Sequence, residues 1–281
     1  MKADIRALTA MNVTDLQKSF RVHHRPIIRR IVATLGWYPA YRLARSMAEC
    51  DALAGQHGLS AAGHAIVTNY AGRVEVAPST IPKSGPVLIC ANHPGMVDAS
   101  ALFTAIPRND VLVIAADRPL LRAMPNIAAR LICVPDDPAG RARIMREAAR
   151  HLKNGGALLT FPAGKIEPDP AVMDDAHTTL ADWSDVTALF CRLVPDLPVV
   201  GALISGVISA RALNNWWIRR IPERKERDWM AATLQLIVPW YKVPRVRIRW
   251  TDPIVITHEQ VKPTLAAHMH QLIQQEYEAR R

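Results

Sequence analysis

A chain of 281 residues that is 49% hydrophobic and 21% charged is too apolar to be disordered. It is long enough for one large α/β domain with attached helices, or at most two domains. The net charge of +10 and a pI near 9.8 favour an anionic partner: a membrane surface, a phosphorylated or CoA-like ligand, or nucleic acid. Cys50, Cys90, Cys133 and Cys191 are scattered, without a Cys-x-x-Cys pair, so neither a zinc site nor a disulfide framework is expected. Cys90 and Cys133 sit in apolar runs and read as buried thiols of a reducing compartment.

Residues Met1 to Arg25 are polar and basic, ending in Arg21, His23, His24 and Arg25, and read as a mobile arm or short helix. With acidic residues early and no apolar core segment, this end is not expected to be a signal peptide. From Pro26 the spacing predicts a helix, with Ile27, Ile28, Ile31, Val32 and Leu35 on one face and Arg29 and Arg30 on the other. Gly36 and Pro39 are expected to interrupt it, and Tyr41 to Ala54 to resume it. Such a helix either packs on the core or seats in lipid headgroups, with Trp37, Tyr38 and Tyr41 at the interface. Residues 1–60 are therefore set apart as a basic, amphipathic helical segment, and 61–281 as an α/β domain.

Strands are predicted around Val74–Val76, Pro86–Ala91, Val111–Ala116, Leu131–Val134, Ala157–Phe161 and Pro198–Ile204. Helices are predicted between them at Ala99–Ile106, Leu120–Ala129, Ala139–Lys153 and Val186–Val194. Asn154-Gly155-Gly156 is a helix stop. Buried strands alternating with helices give the fold class: α/β, with a mostly parallel central sheet covered by helices. The longest uncharged run, Leu197 to Ala210, is shorter than the roughly 18–20 residues of a membrane span. Arg245-Val246-Arg247-Ile248-Arg249-Trp250 alternates strictly, predicting a half-buried strand whose basic outer face suits a sheet edge. Thr257 and Gln260 have capping-box spacing, but Pro263 favours a last helix that starts there and runs to about Arg280.

Chemistry concentrates after two of the strands. The apolar run Val87–Ala91 ends at Asn92-His93-Pro94-Gly95-Met96-Val97-Asp98. A strand end that delivers a histidine to a loop puts it where open α/β sheets hold ligands. His93 reads as a general base and Asp98 as its orienting partner, although Asp98 could instead cap the next helix. The second site is Phe161-Pro162-Ala163-Gly164-Lys165-Ile166-Glu167-Pro168, emerging on the same edge. Gly164 permits close approach to an anion and Lys165 supplies charge, or else the stretch is a turn with a solvated lysine. No Gly-x-Ser-x-Gly elbow is present, and no further ligand pair near His93 suggests a metal.

These residues resemble a known family. Asn92 to Asp98 resembles the first block, His-x4-Asp, of the glycerolipid acyltransferases, which acylate glycerol-3-phosphate and lysophospholipids. Phe161-Pro162-Ala163-Gly164 resembles their third block, usually Phe-Pro-Glu-Gly, and Leu197 to Ala202 their fourth. The likeness covers roughly residues 70–210. It implies an O-acyltransferase like those acting on 1-acylglycerol-3-phosphate. His93 would deprotonate an acceptor hydroxyl, which attacks the thioester of acyl-CoA or acyl-carrier protein. The donor is a substrate, and no cofactor is implied. Gly95, Phe161, Pro162, Gly164, Lys165 and Arg141 would line the substrates.

The likeness has departures. Ala163 replaces the usual glutamate, and Ile132-Cys133-Val134-Pro135-Asp136-Asp137 lacks the arginine that ends the second block. Arg141 and Arg143 stand nearby. A membrane-surface enzyme, peripheral on the cytoplasmic face of the cell membrane, is expected, with Trp216, Trp217 and Ile218 beside Arg219 and Arg220 as an interfacial anchor. The alternatives are a non-catalytic lipid-binding or scaffold protein on a degenerate version of this fold, and nucleic-acid binding, which has no motif in its favour.

Overall fold

In the computed structural model, residues 2–22, 24–135 and 137–280 are described. Met1 and His23 of the basic arm, and Asp136 and Arg281, lie outside them. The region read as an arm or short helix is α1 (Ile5–Ser19), capped by Asp4, whose carboxylate accepts the amide N–H groups of Arg6 and Ala7. It packs along α2 (Pro26–Tyr70), where Asn12 Nδ2 donates to the Ala40 carbonyl.

Gly36 and Pro39 do not interrupt α2. Gly36 is buried, and a Cβ there would stand 2.3 Å from Leu16 Cδ2. The glycine is a contact surface for α1, not a breaker. The turn comes at Gly58, whose φ of 84° and ψ of 179° suit a residue without a Cβ. The division drawn at residue 60 falls just after that turn, and α2 continues to Tyr70. The expected apolar face of α2 is largely open: Ile27 is 76% exposed and Leu35 74%. Ala40 and Ala44, further along, are the residues that turn inward.

Seven strands follow in one sheet: β1 (Ala71–Val76), β2 (Val87–Ala91), β3 (Val111–Ala116), β4 (Leu131–Val134), β5 (Ala157–Thr160), β6 (Val199–Ser205) and β7 (Val243–Trp250). Their order is β1-β7-β6-β2-β5-β3-β4. Strands β2 to β6 run parallel, and β7 is antiparallel to β6 and parallel to β1. The connections contain α3 (Asp98–Ala105), α4 (Pro119–Arg122), α5 (Pro125–Ala128), α6 (Pro138–Lys153), α7 (Val186–Leu193), α8 (Ala210–Leu213) and α9 (Arg224–Ile237), with α10 (His258–Glu278) last. The helix expected over Leu120–Ala129 is split into α4 and α5, because Pro125 opens a second turn.

The β2 side chains alternate between two cores. Val87, Ile89 and Ala91 join the face covered by α1, α2 and α3, while Leu88 and Cys90 join the face covered by α6, α7 and α10. Each large aliphatic chain buried here stabilises the fold by about 1.5–3 kcal/mol relative to exposure. Cys90 is buried as expected, and Cys133 only half-buried.

Two expectations near the C-terminus are corrected. β7 is not an edge strand, for it lies between β1 and β6. Its arginines are matched, Arg245 to Glu75 and both Arg247 and Arg249 to the fully buried Glu276 of α10. α10 begins at His258 after Thr257, with Pro263 in its second turn, so the proline does not open the helix.

Candidate active site

Three neighbouring parallel strands set the site. Strand β2 leads to His93, β5 to Phe161, and β6 to Gly206 and Val207. Asn92 ties the first loop to β6: its Nδ2 donates to the Ile204 carbonyl at 2.9 Å, and its Oδ1 accepts the Ile204 N–H at 2.7 Å.

His93 Nδ1 lies 2.6 Å from Asp98 Oδ2. Asp98 is 1% exposed, and its carboxylate also accepts the N–H groups of Gly95 at 3.1 Å and Ala99 at 2.6 Å. The residue at the helix cap is Val97, so Asp98 opens α3 one place later and aims at His93. The two are brought together by a five-residue turn in which buried Gly95 supplies an amide to the carboxylate. With Nδ1 committed, Nε2 is the nitrogen left for a substrate. The imidazole is 30% exposed and sits beside the Phe161 ring, with centroids 4.8 Å apart.

Burial draws the His93 pKa down. The charge and hydrogen bond of Asp98 and the charge of Glu167 outweigh it, with Arg118 opposing them. The net result is a pKa above the ordinary histidine value.

Glu167 was not singled out from the sequence. It is 2% exposed, its Oε2 accepts the His93 N–H at 2.9 Å, and its own N–H donates to the His93 carbonyl at 2.8 Å. Its Oε1 accepts Trp183 Nε1–H at 2.8 Å and the Thr179 hydroxyl at 2.9 Å. Burial pushes its pKa up, against the pull of these bonds. Asp169, two residues on and fully buried, accepts the N–H groups of Gly206, Val207, Ile208 and Ala171. One segment therefore latches the loops on both sides of it. The available signal is Glu167-Pro168-Asp169, two acids shortly after a buried strand, but the loops they latch lie 74 and 37 to 39 residues away.

The loop after β5, expected to meet an anion, is looser. Pro162 is buried, and Gly164 (φ 62°) is exposed with its N–H donated to the Phe161 carbonyl, so that amide already has an acceptor. Lys165 is 43% exposed and pairs with Asp182 at 2.7 Å. Arg141 stands exposed at the start of α6, after the edge strand β4. β4 is three strand spacings, about 14 Å, from β2. Arg118, which follows β3 and is not among the residues expected from sequence, is an exposed cation whose charge acts on His93. Its place, in the turn Asp117-Arg118-Pro119 after an apolar strand, was the available signal.

Of the expected anchor residues, Trp216 is 71% exposed with the Arg220 guanidinium over its ring. Trp217 is half-buried and stacks on Phe20, and Ile218 is buried. The pair thus divides between surface and core.

Compared with protein-family models, residues 73–200 match the one described as Acyltransferase. Among solved structures, the chain is similar to the crystal structure of the 1-acyl-sn-glycerophosphate (LPA) acyltransferase PlsC from Thermotoga maritima. The identity is 18%, the match covers 96% of this chain and 97% of that one, and the TM-score is 0.42. No curated protein matches the chain.

Proposed function

Because residues 73–200 match the acyltransferase family model, we propose that the chain moves a fatty acyl group from acyl-CoA or acyl-carrier protein to a hydroxyl of glycerol-3-phosphate, a lysophospholipid or a related lysolipid. The observation that carries this reading is the 2.6 Å contact between His93 Nδ1 and buried Asp98, at a strand end where the imidazole stays partly open. Asp98 holds the ring in the tautomer with Nε2 unprotonated. Nε2 takes the acceptor hydroxyl proton as the oxygen attacks the thioester carbonyl. The tetrahedral intermediate collapses with cleavage of the C–S bond, and the imidazolium returns its proton to the leaving thiolate. The ester and a free thiol are the products, with no acyl-enzyme and no cofactor.

Arg118 and, from the next loop, Lys165 are the cations proposed to meet an acceptor phosphate. Arg118 is favoured because its charge reaches the base. Peripheral attachment to the inner face of an anionic membrane is part of the proposal. Exposed Ile27, Ile31, Leu35, Trp37 and Tyr38 beside Arg29 and Arg30, together with Trp216, support it. Among the described residues, no helix is long and apolar enough to cross a membrane.

The test is acyl transfer from labelled acyl-CoA and acyl-carrier protein to a panel of lysolipids and glycerol-3-phosphate. Transfer by the wild type that vanishes in His93→Ala is expected. Binding of the panel without turnover on any donor would overturn the reading in favour of a lipid-binding protein.

A further inference from the structure

The acyl-transfer reading uses one buried carboxylate, Asp98. A second one touches the same histidine from another strand-end loop. We propose that Glu167 is a positioning residue for the base, holding both backbone groups of His93 and adding a second carboxylate to the surroundings of its imidazole.

Three observations carry this. Glu167 makes a two-way bond to one residue: its side chain accepts the His93 N–H and its amide donates to the His93 carbonyl. Both backbone groups of His93 are thereby committed, so the loop has little freedom to displace the ring. The carboxylate is itself fixed, with Oε1 held by Trp183 and Thr179 from the following 3₁₀ turn (Ala176–Asp182) and its end. Among the described residues, no lysine or arginine makes an ion pair with it, so its charge is not neutralised by a dedicated partner. A buried carboxylate with no cation is costly unless it is fully hydrogen-bonded, and here it accepts three donors.

The chemistry follows from charge. When Nε2 takes the acceptor proton, the imidazole becomes cationic with Asp98 of α3 bonded to its Nδ1 and Glu167, on the loop after β5, bonded to its backbone. Both carboxylates favour that form, and Arg118, after β3, opposes it. Glu167 thus acts through His93 and needs no contact with substrate. Asp98 fixes the ring, and Glu167 fixes the chain that carries the ring.

The proposal rests on His93 being the base, and its test separates the two. The His93 imidazole is titrated by NMR in the wild type and in Glu167→Gln, with assignment from a His93→Ala spectrum. This measurement needs no turnover. Glutamine keeps the size, removes the charge and cannot satisfy all three donors. The expected result is a His93 pKa below the wild-type value. In the acyl-transfer assay, kcat is expected to fall about 10–100-fold with little change in donor KM. The acid limb of kcat/KM moves to lower pH in step with the titration.

Glu167→Asp keeps the charge and shortens the reach. It is expected to hold the His93 pKa near wild type while kcat still falls. Thr179→Ala removes one bond on the side away from His93 and serves where Glu167→Gln does not fold. There a smaller kcat loss is expected. An unchanged His93 titration and an unchanged acid limb in Glu167→Gln would overturn the proposal and leave Glu167 a structural residue. A shifted titration with no acyl transfer by the wild type would overturn the acyl-transfer reading instead.

Discussion

The two halves of the candidate site are built differently. Around His93, the polar groups that hold the loop are buried and bonded: Asp98 accepts three contacts, Glu167 three, and Asn92 bonds both ways to β6. Around Lys165 and Arg141, the cations are exposed, one paired to a surface carboxylate and the other on the outer turn of a helix. Under the proposed function, a buried, bonded base and exposed cations would suit a catalyst whose chemistry is fixed and whose acceptor is held by adaptable side chains. Buried, fully bonded groups are pre-organised and lose little on reaction, while exposed lysines and arginines must be ordered each time they grip an anion.

The largest expected effect breaks the rigid half directly. His93→Ala should lower kcat/KM for acyl transfer by about 10³-fold, since a general base typically contributes 10²–10⁴. Asp98→Asn keeps the shape but offers His93 Nδ1 the wrong polarity, and a loss of about 10²-fold in kcat is expected. It should also lower stability by about 1–3 kcal/mol in urea unfolding, because buried donors lose a charged acceptor.

Acid pH gives a third test. His93 has a folded-state pKa raised above its ordinary value, so kcat/KM should fall about tenfold per pH unit below that raised value. Glu167 and Asp169 are raised too, both by burial. A group whose folded pKa is raised contributes stability below its unfolded pKa that is lost as pH rises through the folded one. Between the ordinary and the raised values of these three groups, acidification therefore stabilises the fold at the site. A melting temperature that holds or rises while activity disappears is expected. A melting temperature that drops in parallel with activity would show that the activity loss is unfolding.

The looser half should answer more weakly. Arg118→Ala should raise KM for a phosphate-bearing acceptor about tenfold, the loss of one charge-assisted contact, with kcat for a neutral acceptor unchanged. Lys165→Ala should change KM less than about threefold, because its ammonium is exposed and already shared with Asp182. A larger effect at Lys165 than at Arg118 would reverse the assignment of the anion contact.

Much of the sheet was legible from residue pattern. The runs Val111–Ala116 and Leu131–Val134 appear as β3 and β4 with the expected ends, because a doubly covered parallel strand is a short unbroken apolar run. The His93–Asp98 pair was legible because both partners lie within one turn. What failed to show was long-range. Gly36 reads as a breaker until Leu16 packs on it, and Arg247 and Arg249 read as an open face until α10 brings Glu276 across. Glu167 carries no local signal as a partner of His93: the glutamate of the resembled third block corresponds to Ala163, four residues earlier, and the contact with His93 spans 74 residues. Local propensity carries no record of a contact between strand-end loops.

The first arm of α2 has a mechanical consequence. From Pro26 to the turn at Gly58 it amounts to roughly 48 Å of continuous helix. Asp51, near its far end, is clamped to the backbone amides of Asn126 and Ile127 at 2.8 and 2.9 Å, and α1 stiffens it along the side. Such a strut transmits torque and does not absorb it. On a bilayer gripped by the Ile27–Tyr38 end, its pitch would set the tilt of the whole sheet, and so the clearance between His93 and the lipid plane. Lengthening or shortening the arm by one residue would swivel that proposed grip by about 100°, turning the proposed requirement for a lipid acceptor into one of angle.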